Sequence, residues 1–135
     1  MASPSDVVRE FCAAFATKDR PTIERLLADD AVYHNVGMEP ALGKAASMAL
    51  IDGFLDMSES LGFEIHHLAA DGDTVLTERT DTLTVNGNAA PIAVMGTFEV
   101  RDGLIVAWRD YFDMGLVGRL MAGEDVDRTL LPAFS

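Results

Sequence analysis

The sequence predicts an α+β fold in which N-terminal helices pack over one face of a curved antiparallel sheet. Three observations carry this. Apolar residues recur at helical spacing up to about Leu61, and from Gly62 onward they recur every second residue. Three turn signals, "DGD", "NGN" and "RDG", divide that second half into four strand-like runs. Helices first and strands afterwards favour helices gathered on one face of an antiparallel meander, and the space between the layers is a natural pocket.

Taken in order, Ser3 or Ser5 can cap a first helix with Val8, Phe11, Cys12 and Phe15 on its apolar stripe, ended by Lys18 and Asp19. Pro21 starts a second helix with Ile23, Leu26 and Leu27 inward; the acidic run Ala28 to Asp30 breaks it before the extended segment "AVYHNV". Gly37, Pro40 and Gly43 mark a loop. A third helix is expected from about Lys44 to Ser60, with Ala46, Leu50, Phe54, Met57 and Leu61 on one side and Asp52, Asp56 and Glu59 on the other. The acidic tail from about 122 to 135 reads as a short helix, an arm across a neighbour, or a partly disordered end.

A length of 135 residues fits one domain spanning 1–135. The net charge of −12 repels phosphate backbones and anionic lipid surfaces, so nucleic-acid and membrane-surface binding are not expected. No apolar run approaches the ~20 residues of a membrane span. The N-terminus "MASPSDVVRE" has no secretory pattern and the single cysteine cannot form an internal disulfide. A cytoplasmic setting is the expectation, with Cys12 a small core residue rather than a nucleophile.

Strand parity then sorts the charges. On the last strand, Leu104, Val106, Trp108, Asp110, Phe112 and Met114 share one face, whereas Ile105, Ala107, Arg109, Tyr111 and Asp113 share the other. In the strand of "TVLTERTDTL", Val75, Thr77, Arg79, Asp81, Leu83 and Val85 fall together. The strand between offers Ile92, Val94, Gly96, Phe98 and Val100. Two aspartates and one arginine are thereby placed on an inner surface, where isolated charges are costly. If Arg79 lies between Asp81 and Asp110, its fork can bond both, and one cation facing two carboxylates favours one retained proton. That is an acid and a base at the same pH. The same spacing also fits a buried ion-pair network with no chemistry, or a bulge that inverts the parity.

"ERTD" followed by "WRDYFD", with "YHN" upstream, resembles the limonene-1,2-epoxide hydrolase family, in the same order from the first helix to about Met121. The resemblance implies a cone-shaped NTF2-like α+β fold, shared with ketosteroid isomerase. It further implies Asp110 as the general base acting on water, Tyr33 and Asn35 as that water's hydrogen-bonding partners, Asp81 as the acid protonating the epoxide oxygen, and Arg79 as the bridge. The reaction implied opens a small apolar epoxide to a vicinal diol in one step, with no metal, no organic cofactor and no covalent intermediate. An apolar pocket lined by Leu83, Ile92, Val94, Trp108 and Phe112, and a homodimer packed through the sheet, are implied as well.

Other candidates are weaker. His34 points away from its neighbours in an extended segment, His66 and His67 cannot both face one site, and no metal-ligand spacing occurs. Arg109, Tyr111 and Asp113 belong to the opposite face, where solvent or a dimer contact explains them. Two other readings share the fold. A ketosteroid isomerase or polyketide cyclase type enzyme needs one proton-shuttling carboxylate and no arginine joining two acids; a non-catalytic ligand-binding module needs neither.

Overall fold

A computed structural model describes residues 2–134. Helix α1 (Pro4–Ala16) starts at a capping box: Ser3 Oγ accepts from the Asp6 amide and the Asp6 carboxylate accepts from the Ser3 amide. Its Val7, Val8, Phe11, Cys12 and Phe15 are buried. Helix α2 (Arg20–Leu26) is capped by Asp19. Strand β1 follows at once over Leu27–Asn35, so "ADD" lies inside the strand rather than between helix and strand. Asp29 and Asp30 are exposed there, at an irregularity in the pairing, which is how a strand tolerates two adjacent acids.

A two-residue strand β2 (Ala41–Leu42) leads into helix α3 (Lys44–Met57), which stops before the expected Ser60 because that residue already pairs in β3 (Ser60–Asp71). The expected stripe of α3 is also corrected. Ser47, Met48, Ile51 and Leu55 face the core, while Leu50 and Phe54 are half-buried and Met57 is exposed. The helix has two apolar faces because it stands between the core and a cavity, and periodicity alone does not say which face meets which. Ser47 Oγ ties it to the Ala31 and Ala41 carbonyls of β1 and β2.

Strands β3, β4 (Thr74–Val85), β5 (Asn88–Arg101) and β6 (Leu104–Tyr111) form the expected meander. Asn86–Gly87 and Asp102–Gly103 have positive φ at both positions, the backbone that two-residue hairpins need, which explains "NGN" and "RDG". The six-stranded sheet has the order β2-β1-β6-β5-β4-β3, and β1 joins β6 in parallel, so the sheet is mixed rather than wholly antiparallel. That parallel pairing sets Tyr33 beside Trp108 and Asn35 beside Asp110.

One side of the sheet carries α1, and a buried aromatic cluster joins them: Trp108 stacks on Tyr33 at 3.9 Å and on Phe98 at 5.6 Å, and meets Phe11 edge-on at 5.1 Å. The last strand ends at Tyr111, so Met114, expected on its inner face, instead opens helix α4 (Met114–Met121), capped by Asp113; in the tail beyond it a 3₁₀ turn forms at Arg128–Leu130. Leu120 and Val126 pack on Ala90, and the Phe134 ring stacks on His66. Among the described residues no helix is long and apolar enough to cross a membrane.

Parity holds in β4 from Val75 to Leu83, where Val75, Thr77, Arg79, Asp81 and Leu83 are all buried, while Val85 at the strand end is half-buried, and it holds in β5 from Ala90 to Val100. In β6 it fails for the first residues: Ile105 is buried and Leu104 exposed, the reverse of the expectation. The pairing with β5 shifts between Glu99 and Val100, and this bulge changes the facing side before Trp108. From Trp108 to Asp110 the predicted sides hold.

Candidate active site

Three strands deliver the charged residues to one point. Register sets Arg79 against Val94, Asp81 against Ile92 and Gly96 against Asp110, so β5 separates the two acidic strands. Arg79 spans the gap over Gly96. A Cβ on Gly96 would stand 2.3 Å from Arg79 Nη1 and 2.5 Å from Asp110 Oδ1, so only glycine leaves this crossing open.

Arg79 is fully buried and every one of its nitrogens has a partner. Nε donates to Asp81 Oδ1 at 3.0 Å, and Nη2 donates both to Asp81 Oδ2 and to Asp110 Oδ2 at 2.8 Å. Nη1 donates to Thr77 Oγ1 at 3.0 Å, whose hydroxyl in turn donates to the Gly96 carbonyl. The rings of Phe63 and Phe98 lie 5.2 and 5.7 Å from the guanidinium carbon, which adds cation–π attraction in place of water. Asp110 receives a second donor on its other oxygen, the Trp108 Nε1–H at 2.8 Å.

Burial governs the electrostatics. It pushes the Asp81 carboxyl up to about 6 although Arg79 pulls it down, and Asp110 adds to the rise. Burial likewise raises Asp110, against Arg79 and the Trp108 hydrogen bond. For Arg79, burial works against the cation, but Asp110 and Asp81 outweigh it and the guanidinium stays charged. Burial holds the Tyr33 phenol well above its ordinary value and pushes the Cys12 thiol, beneath the cluster, up to about 12. Two largely buried carboxylates facing one cation can therefore hold one proton between them near neutral pH.

A cavity of about 240 Å³ opens over this cluster. Asp81, Asp110, Tyr33 and Asn35 form its polar floor, and the remaining lining is apolar. Of the five residues expected to line an apolar pocket, Leu83, Ile92, Val94 and Phe112 do so; Trp108 does not. Trp108 lies behind the floor at 1 % exposure, covered by Tyr33, because the parallel β1–β6 register stacks the tyrosine ring over it. The roof comes from α3, through Leu50, Phe54 and Met57, and from α4, through Met114, Val117 and Met121. Sequence reasoning missed this roof, and also Thr77, Gly96 and Phe63. Gly96 had a usable signal, a glycine inside a strand at the inward parity, which marks a close approach.

The residues set aside are placed elsewhere. His34 bonds the Met38 carbonyl, and His66 bonds Thr80 Oγ1 on the far side of the sheet. Arg109 pairs with Glu99, Tyr111 is exposed, and Asp113 caps α4.

The limonene-1,2-epoxide hydrolase catalytic domain matches residues 2–120 of the chain. The epoxide hydrolase EphG of Mycobacterium tuberculosis is 42 % identical over 109 residues, 79 % of this chain and 71 % of that protein. A solved structure of an LEH-like epoxide hydrolase from M. tuberculosis is 39 % identical, covers 86 % of this chain and 82 % of its own, and superposes with a TM-score of 0.73. The solved structure of an NTF2-like protein from Burkholderia pseudomallei superposes with a TM-score of 0.80 over 90 % of this chain and 98 % of its own, with 21 % identity, and bears on the fold alone.

Proposed function

This chain belongs to the limonene-1,2-epoxide hydrolase family and is an epoxide hydrolase; from that premise we propose that it opens a small apolar epoxide to a vicinal diol in one acid–base step. The observation that carries the reading is Arg79 Nη2 donating at 2.8 Å to both Asp81 and Asp110 at the floor of an apolar cavity.

In this mechanism ionised Asp110 takes a proton from a water held by Tyr33 and Asn35. The water oxygen bonds to one oxirane carbon as that carbon's bond to the ring oxygen breaks. The departing oxygen receives the proton of Asp81. Ring strain makes the carbon electrophilic, yet an unprotonated alkoxide leaves poorly, so base and acid must act together. Afterwards Asp110 holds a proton and Asp81 has lost one, and transfer between them, beside a cation that bonds both, resets the pair. All the groups required are side chains of this chain, and the reading assigns no cofactor.

The cavity volume lies just below the usual range for ligand pockets, about 300–1,000 Å³, which supports a small substrate, and the apolar lining supports a hydrocarbon one. The same proposal takes residues 1–135 as one catalytic unit in the cytoplasm. It takes the sheet face bearing Leu76, Met95 and Tyr111, all exposed, as the homodimer contact, and no nucleic acid or membrane as a partner.

A panel of cyclic and linear epoxides, with chiral analysis of the products, tests the reading. Diols are expected from small apolar members, with turnover declining as bulk increases. Solvent deuterium exchange into a cyclic enone, with no epoxide opened, would contradict it in favour of isomerase chemistry.

A further inference from the structure

We propose that Trp108 is a positioning residue that makes Asp110, rather than Asp81, the base of the pair, by bonding its carboxylate and backing the Tyr33 ring at once. The inference rests on the reading of Asp110 as the base.

The two carboxylates are nearly symmetric about Arg79 but differ in one respect. Among the described residues, both oxygens of Asp81 are bound by Arg79 alone, at Nε and Nη2. Asp110 has Oδ2 on Arg79 and Oδ1 on the Trp108 indole. Two donors from different directions, one on each oxygen, fix the plane of the Asp110 carboxylate; with Arg79 alone it could turn about a single contact. A hydrogen bond donated to a carboxylate also favours its ionised form. Without the indole, Asp110 would keep one donor against two on Asp81 and would be the better place for the shared proton; the indole supplies the second donor that favours ionised Asp110.

The same indole lies flat under Tyr33, with planes 7° apart and ring centres 3.9 Å apart, and is backed on its other face by Phe98. The base and one of the two groups assigned to the water are thus referenced to one rigid side chain. A Phe or Leu could fill the same volume in the core. Only an indole supplies an N–H at that place.

Few other groups act on Asp110. Strand β4 presents Arg79 and Asp81, β1 presents the Tyr33 phenol, and α1 presents the buried Cys12 thiol. Strand β5 presents Gly96 there, and the cavity lining from α3 and α4 is apolar. The Trp108 hydrogen bond works against the rise that burial imposes on Asp110.

The test is Trp108→Phe, with Phe11→Leu, which loosens the edge contact on the indole without touching Arg79, as a packing control, and a Trp108 replacement by the indole isostere 3-benzothienylalanine should the phenylalanine variant not fold. Carbon-13 NMR of the aspartate carboxyls reads Asp110 directly, and kcat, KM and the acid limb of kcat/KM are measured alongside. Loss of the N–H is expected to move the Asp110 titration and the acid limb to higher pH together. It should lower kcat by about tenfold to a hundredfold, the worth of a hydrogen bond to a charged group, with KM little changed. Phe11→Leu should leave the Asp110 titration in place. A folded variant lacking the indole N–H but with the wild-type titration, acid limb and kcat overturns the proposal, as does a shifted titration with unchanged turnover. Retained turnover in Asp110→Asn would instead remove the premise, an outcome distinct from a wild-type-like Trp108 variant beside an inactive Asp110→Asn.

Discussion

Strands β4, β5 and β6 carry ion pairs on the two faces of one sheet, β4 with β6 inside and β5 with β6 outside, and the two faces treat them differently. Inside, Arg79 meets Asp81 and Asp110 with no exposure and every nitrogen bonded. Outside, Arg109 meets Glu99 with both side chains a third or more open to solvent. The outer pair is screened by water and salt, and such pairs contribute little. The inner cluster cannot be screened, so any change in its charge must be absorbed by protonation or by neighbours. The proposed chemistry uses the inner face, where burial displaces the carboxyls upward, to about 6 for Asp81, whereas the outer pair is an ordinary surface contact.

Substitutions on the inner face should therefore have the largest effect. Asp110→Asn and Asp81→Asn are each expected to cut kcat by about 10²–10⁴-fold, the usual share of a general base or acid, while circular dichroism still reports a folded protein. Equal activity in either variant would remove its assigned role.

Gly96→Ala should come next. Its methyl would stand 2.3 Å from Arg79 Nη1 and 2.5 Å from Asp110 Oδ1, and overpacking of this kind costs about 1–3 kcal/mol. A fall in the denaturant midpoint together with loss of turnover is expected. An alanine variant as active as wild type would mean that the crossing over β5 is looser than described.

The pH dependence probes the inner face. The folded Asp81 carboxyl is raised from 3.8 to about 6 by burial, so the fold favours its protonated form. Its contribution to stability is fully present below about 4 and is lost as pH rises through about 6, and the raised Asp110 has the same sign. Thermal melts from pH 4 to 7 should therefore show wild type losing more stability, relative to Asp81→Asn, as pH rises. Turnover should decline above about 6 as the pair loses its shared proton, with the apparent value belonging to the pair. A melt difference that does not vary over this window would contradict the raised carboxyl.

The smallest effect is expected from Arg109→Ala on the outer face, about 0–1 kcal/mol in stability with kcat unchanged. A large loss of activity there would mean that the outer pair supports the site across the sheet.

The inner cluster was legible in the sequence because strand parity is a property of the backbone. Arg79 and Asp81 are two apart on one strand, and the signals "NGN" and "RDG" defined where β5 and β6 begin. Asp110 kept its predicted side because the bulge at Glu99 and Val100 lies before Trp108; Leu104 and Ile105, closer to the turn, were reversed by it. The roles of Tyr33 and Asn35 came with the family motif, and their position beside Trp108 and Asp110 required the parallel pairing of β1 with β6, which no local pattern encodes. The roof was hidden for a related reason. Helix α3 has apolar residues on two faces, and only tertiary packing determines that Leu50, Phe54 and Met57 border the cavity while Met48, Ile51 and Leu55 enter the core. Trp108 was assigned to the right face but the wrong depth, since a stacking partner from another strand cannot be read from its own.

The central claim is that water, activated by Asp110, attacks the epoxide directly. A single turnover in oxygen-18 water, with enzyme in excess over epoxide, tests it most directly. One labelled oxygen is expected in the diol of the first turnover, with no label in either aspartate. An unlabelled first diol, followed by label appearing in Asp110 or Asp81, would establish a covalent ester route and contradict the account.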